Sequence, residues 1–101
     1  MKIMISQPMS GKTTEQIKSE REELVKELKK QGYEVIDTIF TEEAPKDCDT
    51  AMYYLAKSIE AMSKADAVIF MEDWHRARGC IVEHEVATYY NKFIKDLNNR
   101  F

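Results

Sequence analysis

Ile3, Met4 and Ile5 follow one another between Lys2 and Ser6, the short unbroken apolar run expected of a strand covered on both faces. Pro8 and Gly11 then mark a loop. Over residues 13–31 the period changes, and Ile17, Arg21, Leu24, Val25 and Leu28 recur along one face of a helix. Thr13 and Gln16 have the spacing of a capping box, and Gly32 supplies the stop. Tyr33-Glu34-Val35-Ile36 reads as a second strand.

Residues 37–48 form a polar loop containing Pro45, the longest irregular stretch, and loops of this length in a small domain are often functional. Asp49 or Thr50 caps a second helix, with Met52, Leu55, Ala56, Ile59 and Met62 as its expected buried stripe. Residues 66–71 carry the apolar run of a third strand, and 72–78 are a polar loop. The last helix covers about 79–90, Asn91 breaks it, and Lys92-Phe93-Ile94-Lys95 reads as a short fourth strand. The tail, 96–101, is expected to fray or to pack on a neighbour.

This alternation predicts an α/β fold, with a small parallel sheet of about four strands and helices on both faces. No repeat or linker interrupts it, so residues 1–101 read as one domain. Composition agrees: 44% hydrophobic and 33% charged residues describe a globular chain, not a disordered one. A net charge of −3 gives no footprint for a nucleic-acid polymer, although Arg76 and Arg78 could hold a single phosphate group. Cys48 and Cys80 are too few for a disulfide framework or a zinc site, and neither metal nor cofactor is expected. The first residues lack the pattern of a signal peptide or membrane span, which points to the cytoplasm with no membrane partner.

Ser6-Gln7-Pro8-Met9-Ser10-Gly11-Lys12-Thr13 has the outline of a triphosphate-binding loop between a strand and a helix. The first glycine is missing, and Pro8 removes an N–H from the cradle that would wrap the phosphates. A loop that takes one phosphate or a sugar hydroxyl is the stronger expectation, through Ser6, Ser10 and the amides of Gly11 and Lys12. A plain turn with a helix cap explains the same residues.

The densest chemistry lies in Arg78-Gly79-Cys80-Ile81-Val82-Glu83-His84-Glu85-Val86-Ala87. Glu83 is expected within roughly the first helical turn, at the carboxyl end of a buried strand, where amide dipoles favour an ionised carboxylate. The alternative is a surface glutamate that only compensates the dipole. Cys80 sits where a helix start could activate a thiol, or where a tight turn needs a small residue. Trp74 either stacks on a base or packs over the sheet edge. His84 is expected exposed or at an interface, and His75 is a candidate acid or base.

Four segments together resemble the nucleoside 2-deoxyribosyltransferase-like superfamily, and within it a branch of small bacterial and phage proteins. They are Ile3-Met4-Ile5-Ser6-Gln7-Pro8-Met9-Ser10-Gly11, Gly32-Tyr33-Glu34-Val35-Ile36-Asp37, Ser63-Lys64-Ala65-Asp66-Ala67-Val68-Ile69, and the Glu83 segment, which matches a Gly-x-x-x-Glu-x-Gly-x-Ala signature at Gly79, Glu83 and Ala87. The resemblance implies a flavodoxin-like three-layer sandwich. It implies Glu83 as a nucleophile at the anomeric carbon of a nucleoside or nucleotide, and Asp66 in base binding or protonation. Ser6, Gln7, Pro8, Met9, Ser10 and Gly11 would approach the sugar or its 5′-phosphate. Read from the residues themselves, Arg78, Gly79 and Trp74 are further candidates around the same ligand. The resemblance also implies a homo-oligomer, for which an outward Tyr53 or Tyr54, or Tyr89 and Tyr90, would supply contacts.

The chain departs from the signature at Glu85, where the family has glycine, and at Ala77-Arg78, where an aspartate is common. Losing an acid and gaining Arg76 and Arg78 suits an anionic ligand. The expected activity is cleavage or transfer of an N-glycosidic bond, which needs an anion below the sugar and a proton for the departing base. Asp66, Asp73, Glu72 and His75 are the candidates for that proton. A nucleotide-binding or sensing module without turnover is the alternative on the same fold.

Overall fold

The computed structural model describes residues 1–97. Its elements run β1 (Lys2–Ser6), α1 (Thr14–Lys30), β2 (Glu34–Ile36), α2 (Thr50–Ser63), β3 (Ala67–Phe70), a one-turn 3-10 helix (Trp74–Arg76), α3 (Arg78–Tyr89) and β4 (Phe93–Asp96). All four strands are parallel, in the order β2-β1-β3-β4, which is the α/β flavodoxin-like sandwich.

Burial follows strand position. The central strands β1 and β3 are buried at every residue after Lys2, because both of their faces are covered. Side chains alternate across the sheet. Ile3, Ile5, Ala67 and Ile69 therefore meet Leu28 of α1, with Leu24, Val25, Tyr33 and Leu97 at the margin. Met4, Val68 and Phe70 face the other way and pack with Met62, Ala65 and Ala87 beneath α2 and α3. The edge strand β4 leaves Phe93 and Ile94 exposed.

The end signals of α1 act as their chemistry requires. Thr13 Oγ1 accepts the Gln16 N–H at 3.1 Å, while Gln16 Oε1 accepts the Thr13 N–H at 2.8 Å. At the other end Gly32 takes a φ of +90°, so that Gly32 donates to the Lys29 carbonyl and Tyr33 to the Leu28 carbonyl. Asn91, at φ +58°, closes α3 in the same way, with Lys92 donating to the Ala87 carbonyl at 3.0 Å.

Of the two caps expected for α2, Asp49 is the one used, accepting the Met52 N–H at 3.0 Å. The stripe expected on that helix holds only in part: Met62 is buried and Leu55 and Ile59 are half-buried, but Met52 is 68% exposed and Ala56 is exposed. Ser58, half-buried like Leu55 and Ile59, lies beside Glu83 at a position apolar counting passes over. Leu97 packs at the α1 side, and the expected behaviour of the tail beyond it lies outside the described residues. Among the described residues no helix is long and apolar enough to cross a membrane.

Candidate active site

Strand β1 ends at Ser6 and Gln7 follows it, their side chains turned to opposite faces of the sheet. Ser6 continues the Met4 side and reaches α3, where its hydroxyl donates to Glu83 Oε1 at 2.6 Å. Ser58 of α2 lies beside the same carboxylate and favours its charged form. Glu83 is 7% exposed and shares its face of α3 with Cys80 and Ala87. Three elements thus converge on one carboxylate at the carboxyl end of the sheet.

Helix α3 begins at Arg78, so Glu83 is its sixth residue and lies in the second turn, not the first. The macrodipole fades within the first turn, and burial governs the acid instead. Burial pushes the Glu83 carboxyl above its ordinary value, opposed by the hydrogen bond from Ser6, by Ser58 and by the charge of Arg21. Cys80 is not activated by the helix start. Burial pushes its thiol up to about 11, against the opposing influence of the nearby Ser6 hydroxyl and the Lys12 charge.

Gln7 continues the Ile5 side and meets α1. Its Nε2 donates to the Ile17 carbonyl at 3.0 Å and to Glu20 Oε1 at 2.9 Å, and its Oε1 accepts from Arg21 Nε at 2.7 Å. Both amide hydrogens are spent, so Gln7 fastens the loop to α1 and has no donor left for a ligand. Arg21, 5% exposed, also donates from Nη1 to Thr38 Oγ1 at 3.3 Å, and Thr38 in turn donates to the Ile5 carbonyl. Burial pulls the guanidinium down, against the charges of Asp37 and Glu83.

Pro8 and Met9 are half-buried, and Ser10 and Gly11 are exposed in a turn that Gly11 permits at φ +78°. The Lys12 N–H, expected to meet an anion, donates to the Met9 carbonyl at 3.1 Å, and Lys12 Nζ pairs with Glu20 at 2.9 Å. The capping box closes the start of α1 as well. Helix α3 differs: Ala77 supplies no side-chain cap, Arg78 is exposed, and a Cβ at Gly79 would meet nothing within 4 Å. Of the two helix starts, the one on the helix that carries Glu83 is therefore the one without a side-chain cap.

Asp66 is not brought to this site. It precedes β3 at the amino end of the sheet, where Oδ2 accepts the Lys2 N–H at 2.7 Å. Ser6 pairs with Phe70, four residues further along both strands, which sets Asp66 roughly 13 Å from the Glu83 end. Its carboxylate satisfies a backbone donor. Trp74 is also engaged within the chain, stacked on His84 with centroids 4.3 Å apart and planes 6° from parallel, and tilted against Phe70. His84, expected at the surface, is half-buried in that stack, because α3 presents it to the aromatic cluster when Glu83 turns to Ser6.

Ser58 and Thr38 were missed from the sequence, and Arg21 was noted only as part of a stripe. A polar side chain repeating at the helical period among apolar ones is the signal that would have found Ser58 and Arg21. Thr38 carried none.

No curated protein and no solved structure matches the chain. Residues 1–96 match the family described as a domain of unknown function, DUF4406, and the chain belongs to that family.

Proposed function

We propose that this protein cleaves the N-glycosidic bond of a nucleoside or nucleoside monophosphate, with Glu83 as nucleophile and water or a second base as acceptor. The observation that carries the reading is the buried Glu83 carboxylate held by Ser6 at 2.6 Å at the carboxyl end of a parallel sheet. A Glu83 oxygen would bond to the anomeric carbon as the carbon–nitrogen bond breaks, its electron pair leaving with the base. Water would then hydrolyse the glycosyl ester and return the carboxylate. The uncapped start of α3, with Arg78 and Gly79, suits a phosphate on the substrate. With Asp66 at the far end, the proton for the base would come from Glu72, Asp73 or His75, which follow β3 at the same end as Glu83.

The remoteness of Asp66 favours a second reading, in which the site binds a nucleotide without turnover. Purified protein incubated with a panel of nucleosides and their monophosphates separates the two. The first reading expects release of free base, lost in Glu83→Ala. The second expects thermal stabilisation by a nucleotide, weakened in Arg78→Ala, with no release. Self-association belongs to both readings, with Tyr89, Tyr90 and Phe93 exposed at the end of α3 and start of β4 as contacts. Light scattering after size exclusion would measure it.

A further inference from the structure

Arg21 is the least explained charge in this protein. It is a long cationic side chain on the buried face of α1, 5% exposed, at a position helical periodicity reserves for apolar residues. Its partners are a neutral amide oxygen at Nε and a neutral hydroxyl at Nη1, and Nη2 is buried with no partner. None of the ion pairs among the described residues involves it. A buried cation without a touching anion carries a desolvation penalty that no contact offsets. The burial that orphans Nη2 also shuts it off from any ligand. What Arg21 has to offer is its field, unspent by contact and weakly screened in the interior.

That field bears on Glu83. Arg21 Nε is 2.7 Å from Gln7 Oε1, Gln7 is bonded directly to Ser6, and Ser6 Oγ is 2.6 Å from Glu83 Oε1. The two charges lie on opposite sides of the end of β1, linked through the side chains of Gln7 and Ser6. We propose that Arg21 is the countercharge of the site, a positioning residue that keeps Glu83 ionised from across β1. The groups facing Glu83 are Ser6 from β1, Ser58 from α2 and Cys80 from its own helix, all neutral near pH 7, and the positive charge that acts on it among the described residues is Arg21. Asp37, exposed just after β2, is the second carboxylate acting on the guanidinium.

The role rests on Glu83 as the working carboxylate, but its test needs no turnover. Carbon-detected NMR of protein labelled at glutamate side-chain carboxyls follows the Glu83 titration in wild type, Arg21→Met and Arg21→Lys. The midpoint should rise by roughly 0.3 pH unit in Arg21→Met, about a twofold loss of carboxylate in that range, and Arg21→Lys should restore most of it. An unchanged midpoint in folded Arg21→Met overturns the proposal. If Arg21→Met does not fold, Arg21→Gln, which keeps amide donors but no charge, decides: a raised Glu83 midpoint supports the countercharge, and an unmoved one overturns it. A shifted midpoint in a protein that releases no base leaves Arg21's role standing and removes the glycosidase reading alone.

Discussion

Ser6 Oγ donates to Glu83 Oε1 at 2.6 Å across 77 positions of sequence, tying the end of the first strand to the last helix. This bond both orients the carboxylate and favours its charged form against burial. Ser6→Ala leaves the strand intact and removes one charge-assisted hydrogen bond, worth about 1.5–3 kcal/mol. Base release should fall about ten- to a hundredfold, and the acid limb of its pH profile should move to higher pH. A drop in rate with an unmoved limb would show that Ser6 does not act on the ionisation of Glu83.

Glu83 should cost stability. Its unfolded carboxyl titrates near 4.5 and its folded one higher, because burial disfavours the charge. The group's contribution is fully present below about 4.5 and is lost as pH rises through the folded value. Glu83→Gln should therefore unfold at higher urea than wild type at pH 7, and the two should converge near pH 4. Equal midpoints at pH 7 would contradict the burial account.

Cys80 follows the same sign at higher pH. Its thiol ionises near 9 when unfolded and near 11 when folded, so wild type should lose about 2–3 kcal/mol between those values. Cys80→Ala should lack that part of the alkaline loss. A thiol reagent at pH 8 should label the exposed Cys48 promptly and the buried Cys80 only on unfolding.

Gly79 has no conformational reason to be glycine: no positive φ, and nothing for a Cβ to strike. Gly79→Ala should raise stability by up to about 1 kcal/mol through helix propensity. If a ligand approaches the start of α3, the same change should weaken nucleotide binding by calorimetry. Unchanged affinity would remove Gly79 from the site.

Asp66→Asn tests the separation of the two carboxylates. The amide oxygen still accepts the Lys2 N–H, so base release should persist within about twofold and stability should change by less than about 1 kcal/mol. Loss of release in a folded Asp66→Asn would restore Asp66 as the acid.

The fold was legible because its signals are local. Ile3, Met4 and Ile5 needed only their own run to read as a doubly covered strand, and Thr13, Gln16 and Gly32 mark the ends of α1 by chemistry confined to a few residues. The stripe of α2 held only in part: apolar counting chose Met52 and Ala56, while Ser58 lies beside a carboxylate on α3. Glu83 was found through its own segment. Its surroundings were less legible: Ser6 was expected at the ligand, not on Glu83, and Ser58 and Arg21 come near it only after β1, α1, α2 and α3 have packed. Asp66 was misplaced for the converse reason: its position before an apolar run does not say that the run's other end holds the site.

The most direct measurement is mass spectrometry of protein quenched during incubation with nucleoside monophosphates, followed by digestion. The peptide containing Glu83 should carry one added sugar phosphate, absent from Glu83→Gln. Base release with no adduct on that peptide, or an adduct on another residue, would contradict the account.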